Sequence, residues 1–241
     1  MDTQVVKNTY NQSQNKSGYE DRRWFTSPVK KSAYKMTKLS LNKHFLNSDI
    51  IKTEGLELGP GPGTWTKEIL IKYPEVEMDL VDISSAMLGQ AKDNLSDFAG
   101  LRYFDANFLD FEPDKQYDFF FSSRAIEYLP DKDQAVKKIF DLLKTGGVGC
   151  LTTKTPKYLI NRLLGRQVSD LHLGQISPWK LKKIFQEQGF TDVKVYPVTF
   201  SFPLFKSAFL NNLLFKVFHN FRLNFLSQFF SESYLIKFKK K

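Results

Sequence analysis

The apolar positions along the chain change period several times. Runs of strand length, Gly55–Leu58, Val76–Val81, Leu101–Phe104, Tyr117–Ser122, Val148–Thr153 and Val193–Val198, alternate with helically spaced stretches. Those stretches are Trp65–Tyr73, Ala86–Leu95, Lys132–Leu143 and Pro178–Gln188. Tyr117–Ser122, with Phe119, Phe120 and Phe121 in succession, is apolar on both faces, as a central parallel strand requires. Punctuation falls where it should: Ser84 stands as an N-cap, Lys144-Thr145-Gly146-Gly147 stops one helix and Gly189 another. The expectation is an α/β chain with a doubly wound, mostly parallel sheet. Tyr234–Lys239 alternates and reads as a seventh strand, which leaves Pro203–Phe230 as a helical insertion before it. Ser27–Phe45 has helical spacing and is expected to cap the ligand side of the sheet, while the polar stretch before it, up to about Asn15, is expected to be flexible. The chain therefore divides into an amino-terminal arm and cap (1–45), a core (46–202) and a carboxyl-terminal segment (203–241).

Composition narrows the classes. A chain of 241 residues that is 41% hydrophobic and 25% charged can bury a full core, so pervasive disorder is excluded. One cysteine, Cys150, forms no internal disulfide and no zinc cluster, which favours a reducing compartment, the cytoplasm, and no metal site. The net charge of +9 is uneven: from Phe200 to Lys241 there are seven Lys or Arg against one acid, Glu232, and 11 of the 23 Phe. Phe218, Phe221, Phe225 and Phe229 fall at helical intervals with Lys216 and Arg222 offset from them. This places the four Phe on one helical face and predicts amphipathic helical structure within 203–230 that packs as core, covers an acceptor pocket, or rests on an anionic membrane surface. A nucleic-acid role fits less well, because phosphate contacts favour a polar basic strip over large aromatics.

The most informative segment is Leu56-Glu57-Leu58-Gly59-Pro60-Gly61-Pro62-Gly63-Thr64, between a strand and a helix. A sharp strand-to-helix turn against a ligand needs positions without a Cβ, and Gly59, Gly61 and Gly63 supply them. The dinucleotide fingerprint places its third glycine where this chain has Thr64, and Glu57 would repel a pyrophosphate but accept a hydrogen bond from a cationic amino-acid moiety. Both features favour S-adenosylmethionine over NAD. Asp82, 19 residues after Gly63 at a strand end, is placed to receive a ribose diol, with Ile83 against an adenine face and Asp105-Ala106 near its amino edge.

The ordered runs LELGPGPGT, LVDISSAML, DANFLDF, YDFFFSSRAIEYLPD and LLKTGGVGCLTT resemble the motif set of class I methyltransferases, over roughly Gly55 to Val198. Within that superfamily the chain is similar to the small-molecule branch that includes ubiquinone, menaquinone and glycan-biosynthesis sugar methyltransferases. The resemblance implies a Rossmann-like sheet, S-adenosylmethionine as cofactor, Glu57 and the three glycines around its methionine part, Asp82 on the ribose, Asp105 and Ala106 on the adenine, and Ser122 beside the amino acid. It implies a small-molecule acceptor methylated on oxygen or nitrogen. Tyr19, Arg22, Arg23 and Trp24 precede the cap helix, a segment that closes over the cofactor in similar enzymes.

A base is needed only where the acceptor atom carries a proton, and His172 and Glu127 are the candidates. Glu127 stands where many relatives have His, and it is equally a partner for Arg124. Cys150, inside an apolar strand, reads as a core thiol. Two other functions stay open: methylation of RNA, and a non-catalytic domain that binds S-adenosylmethionine as a regulator.

Overall fold

The structure, a computed structural model, describes residues 3–12, 18–47, 53–156, 165, 174–202 and 206–241. Seven strands form one sheet: β1 (Glu54–Leu58), β2 (Glu77–Asp82), β3 (Leu101–Asp105), β4 (Tyr117–Ser123), β5 (Leu143–Lys154), β6 (Phe190–Phe200) and β7 (Ser231–Lys240). Their spatial order is β3-β2-β1-β4-β5-β7-β6, and β7 alone runs antiparallel to its neighbours. The chain order reverses between β1 and β4, the switch point beyond which ligands lie in open α/β sheets.

Burial follows the apolar code. Every residue of β4 from Tyr117 to Ser122 is buried, because helices cover both faces of the sheet. One face holds Phe120, Ile139, Phe185 and Phe238, the other Phe45, Trp65, Phe119 and Phe121. Gly149 has its place for a steric reason: a Cβ there would lie 2.1 Å from the Phe238 ring. The helices are α1 (Thr3–Asn11), α2 (Pro28–Leu41), α3 (Thr64–Lys72), α4 (Ser85–Asn94), α5 (Lys132–Leu142), α6 (Pro178–Glu187), α7 (Ala208–Phe218) and α8 (Phe225–Phe230). Ser84 caps α4 as expected, its Oγ accepting from the Met87 N–H, and Ser27, Asp131, Ser177, Ser207 and Asn224 do the same elsewhere. The strand expected from Val148 starts earlier, at Leu143, with a register shift between Tyr117 and Phe119.

Two expectations are corrected. The amino terminus is not a flexible arm throughout: Thr3–Asn11 is helical and docks through a buried Val6, with the Asn11 side-chain oxygen accepting from Ser84 Oγ and the Ala86 N–H. Its polar composition concealed this, because the docking uses one apolar residue and side-chain hydrogen bonds. The insertion does not place Phe218, Phe221, Phe225 and Phe229 on one helix. It breaks after Phe218, and α8 starts afresh at the Asn224 cap. Between the two helices the Leu223 N–H donates to the Val195 carbonyl of edge strand β6, so the segment wraps that edge. No helix among the described residues is long and apolar enough to cross a membrane.

Candidate functional site

A cleft opens at the carboxyl ends of β1–β4. Its walls come from the β1–α3 loop (Leu58–Pro62), the end of β2 (Asp82, Ile83), the turn after β3 (Ala106–Phe108) and the turn after β4 (Ser123–Ala125). Thr3, Val6 and Tyr10 of α1 and Arg23 and Trp24 of the turn before α2 close it from above.

The β1–α3 loop works through its glycines. Gly59, Gly61 and Gly63 all have positive φ, at 67°, 56° and 82°, which other residues adopt only with strain. A Cβ on Gly59 would lie 2.4 Å from the Ala125 Cβ, and one on Gly63 would meet Leu95 at 2.8 Å, so both permit close packing. A Cβ on Gly61 meets nothing within 4 Å, because that position faces the cleft. The free space at Gly61 is the mark of a loop shaped for a ligand.

Asp82 anchors the loop from β2. Its Oδ2 accepts from the Gly61 N–H at 3.1 Å and its Oδ1 from the Ser84 N–H at 2.9 Å. Burial pushes its carboxyl up to about 6 despite those donors. Each oxygen keeps a lone pair for another donor, and a vicinal diol offers two. The turn after β3 follows in register, since Asp82 is paired with Asp105 across the sheet.

The structure gathers Gly59, Gly61, Asp82, Ile83 and Ala106 into the cleft wall and leaves other expected residues out of it. Glu57 lies beneath the loop: Thr66 Oγ1 donates to its Oε2 at 2.7 Å, its Oε1 has no partner, and burial drives its carboxyl up to about 8. Gly63 shapes the turn from behind, as the N-cap of α3. Asp105 faces outward and pairs with Lys7 of α1 at 3.4 Å. Ser122 is fully buried and donates to the Leu58 carbonyl at 2.9 Å, while Ser123, one position on, faces the cleft. Strand alternation reverses the face with each residue, which puts Ser123 and not Ser122 in the cleft wall.

Of the two roles open for Glu127, the structure shows the pairing with Arg124. Its Oε2 accepts from Thr153 Oγ1 at 2.9 Å and from the Lys154 N–H at 3.0 Å, and its Oε1 meets Arg124 Nε at 3.4 Å. Burial alone would raise its pKa, but Arg124 and these donors override it and hold the carboxyl below the ordinary range. A carboxylate kept ionised in this way is a poor base and a good counter-ion, the alternative role read from Arg124. His172 lies outside the described residues.

Sequence reasoning missed the α1 wall, Ser123 and Asn107. Tyr10 Oη donates to Tyr128 Oη at 2.8 Å, tying α1 to the turn after β4. Only strand register signals Ser123; nothing in the polar sequence of α1 signals a wall.

The comparisons agree with this geometry. The family described as "Methyltransferase domain" matches residues 56–148, from β1 to the middle of β5. Malonyl-[acyl-carrier protein] O-methyltransferase 1 of Ilyobacter polytropus is 34% identical over 92 residues, 38% of this chain and 34% of that protein. A trans-aconitate 2-methyltransferase of an Enterobacter strain is 31% identical over 93 residues, 39% of this chain and 36% of its own length. The chain thus spans only about a third of the length of these curated relatives. The structure of magnesium protoporphyrin IX methyltransferase from Synechocystis with bound S-adenosylhomocysteine superposes with a TM-score of 0.68 at 12% identity, over 100% of both chains. N-methyltransferase NodS from Bradyrhizobium japonicum superposes at 0.61 and 15% identity, over 94% of this chain and 95% of that one, and both likenesses establish the fold. The glycine loop, the acid ending β2 and the seven-stranded order agree with these findings: residues 56–148 match a methyltransferase domain, and the chain has the fold of the solved methyltransferases.

Proposed function

We propose that this chain transfers the methyl group of S-adenosylmethionine to an oxygen or nitrogen atom of a small molecule. The observation that carries the reading is the cleft at the switch point, with open space at Gly61 and Asp82 anchored by two backbone donors. The donor set fits S-adenosylmethionine. Asp82 would receive the ribose hydroxyls, Ile83 would lie against the adenine, and Ala106 and Asn107 would meet its edge. The bound cofactor supplies a methyl carbon already activated by its sulfonium. The work left to the chain is alignment and exclusion of water. Val6 and Tyr10 of α1 and Trp24 cover the cleft for the second task. Where the acceptor atom bears a proton, His172 is assigned as the group that takes it, by its place in the sequence between β5 and α6.

The relatives named above act, by their names, on malonyl-[acyl-carrier protein] and trans-aconitate, which supports a small-molecule acceptor. The test is release of S-adenosylhomocysteine across carboxylic acids, quinone precursors, nucleotide sugars and RNA. Turnover with a small molecule is expected. Turnover with RNA alone overturns the reading, and cofactor binding without turnover on any class favours the non-catalytic alternative.

We infer in addition that α7, α8 and the turn between them rest on an anionic lipid surface, with the chain in the cytoplasm. Phe209, Leu213 and Val217 line the outward face of α7 at four-residue intervals, and Phe221, Phe225, Leu226 and Phe229 continue the exposed series. Phe225 is 89% exposed and Phe209 75%, an arrangement costly in water. Lys206, Lys216 and Arg222 are exposed among them, the charge complement of acidic headgroups.

A further inference from the structure

Behind the cofactor cleft lies a smaller recess that shares four residues with it, Arg23, Trp24, Ser123 and Arg124. Its remaining wall is mostly hydroxyls: Thr37 of α2, Thr152 of β5, Thr199 of β6 and Ser233 of β7. Cations gather there. Arg124 has φ 67°, a left-handed conformation rare outside glycine, held by its N–H donating to the Thr152 carbonyl at 2.9 Å. Strain of this kind persists where surrounding structure demands it, and it collects at functional sites. Lys154 follows Thr152 by two positions in β5 and so projects to the same side of the sheet.

The charges do not balance. Glu127 is engaged by Arg124, the Thr153 hydroxyl and the Lys154 N–H. Arg23, its guanidinium 4.2 Å above the Trp24 ring, makes no ion pair within 4 Å among the described residues, and neither does Lys154. Burial and repulsion from Arg124 lower the pKa of Arg23. The same two causes, with Arg23 adding to the repulsion, bring Lys154 down to about 8, against weaker attraction from Glu127 and the exposed Glu232. Such an excess of positive charge in a partly desolvated recess destabilises the fold unless an anion enters.

We propose that Arg23, Arg124 and Lys154 form a subsite that binds an oxyanion of the methyl acceptor, a carboxylate or a phosphate ester. The proposal rests on the cleft being the cofactor site, because the subsite shares its Arg23–Trp24 and Ser123–Arg124 walls. Two guanidinium groups suit a planar, bidentate oxyanion, and the hydroxyl pairs Thr199–Ser233 and Ser123–Thr152, in each of which one proton stays free, offer further donors. Neutral acceptors would leave the two uncompensated cations without a partner.

The test titrates the full chain, saturated with S-adenosylhomocysteine, with three probes: tricarballylate, phenyl phosphate and the neutral trimethyl ester of tricarballylate. One anion is expected to bind and the ester not to, and the anion that binds identifies the source. Lys154→Met and Arg23→Gln should each weaken that anion by about tenfold. In Lys154→Met, whose position lies outside the cleft wall, S-adenosylhomocysteine affinity should stay within about twofold, a ratio worth less than one charge-assisted hydrogen bond. These variants spare Arg124, whose loss would strand Glu127. Wild-type anion affinity should fall as pH rises through about 8, where free Lys154 loses its proton, and Lys154→Met should abolish that dependence. Equal binding of the ester, or anion affinity unchanged in both variants, overturns the proposal. A parallel fall in S-adenosylhomocysteine affinity in Lys154→Met overturns it too, and assigns the cations to the cofactor's own carboxylate. Failure of the wild type to bind S-adenosylhomocysteine at all would instead refute the reading of the cleft.

Discussion

Replacing Glu127 by Ala separates a structural counter-ion from a catalytic base. The side chain is 2% exposed and carries three interactions: Arg124 Nε at 3.4 Å, Thr153 Oγ1 at 2.9 Å and the Lys154 N–H at 3.0 Å. Alanine strands all three donors and leaves the Arg124 guanidinium without its counter-ion. Breaking a buried pair from one side costs about 3–5 kcal/mol. The Arg124 side chain is 22% exposed, so water relieves part of this and the loss should lie near the lower end, about 3 kcal/mol. Urea unfolding followed by circular dichroism reads it as a lower midpoint at unchanged slope. Glu127→Gln keeps an acceptor for Thr153 and Lys154 and should lose roughly half as much. The pH dependence follows from the lowered pKa of Glu127. The unfolded carboxyl titrates near about 4.3, so its contribution is complete above that value and vanishes as pH falls through the lower folded pKa. Glu127→Gln should lack this acid-side loss. A change below about 1 kcal/mol in the Ala variant would refute the counter-ion role. A Gln variant of wild-type stability that releases no S-adenosylhomocysteine with the true acceptor would restore the base.

Three further outcomes are expected. Gly61→Ala should cost only about 1–2 kcal/mol of stability, the strain of a left-handed non-glycine residue, yet weaken cofactor binding by at least about tenfold, because its Cβ enters the cleft. Glu57 has a raised pKa, so the folded state binds its proton more tightly than the unfolded chain, and its contribution to stability falls as pH rises from the unfolded value towards about 8. Glu57→Gln should flatten that decline, measured by urea midpoints across the range. Wild type should float with anionic vesicles and lose this in high salt, whereas the folded double variant Phe221→Glu, Phe225→Glu should not float; absence of wild-type flotation removes the lipid-surface reading.

Much of this was legible in the sequence because strong local codes agree there. The β1–α3 loop announced itself through three glycines between a strand and a helix, and Asp82 through its offset from them. What stayed hidden depends on partners distant in sequence. Ser122 and Ser123 differ by one step of strand register, which only pairing with β1 and β5 settles. Helix α1 looked like a solvated arm because its docking relies on Asn11, Tyr10 and a single buried valine. The aromatic series of the last segment kept helical spacing across a break that the Asn224 cap and the Leu223–Val195 hydrogen bond impose. The recess cations come from three separate segments, and no spacing rule joins Arg23, Arg124 and Lys154.

The most direct test of the account is a calorimetric titration of the full chain with S-adenosylmethionine and, separately, with NAD. Saturable binding of S-adenosylmethionine to one site, on the order of micromolar, is expected, with no heat from NAD and a large loss of affinity in Asp82→Ala. Binding of NAD in place of S-adenosylmethionine, or an Asp82→Ala variant of undiminished affinity, would contradict it.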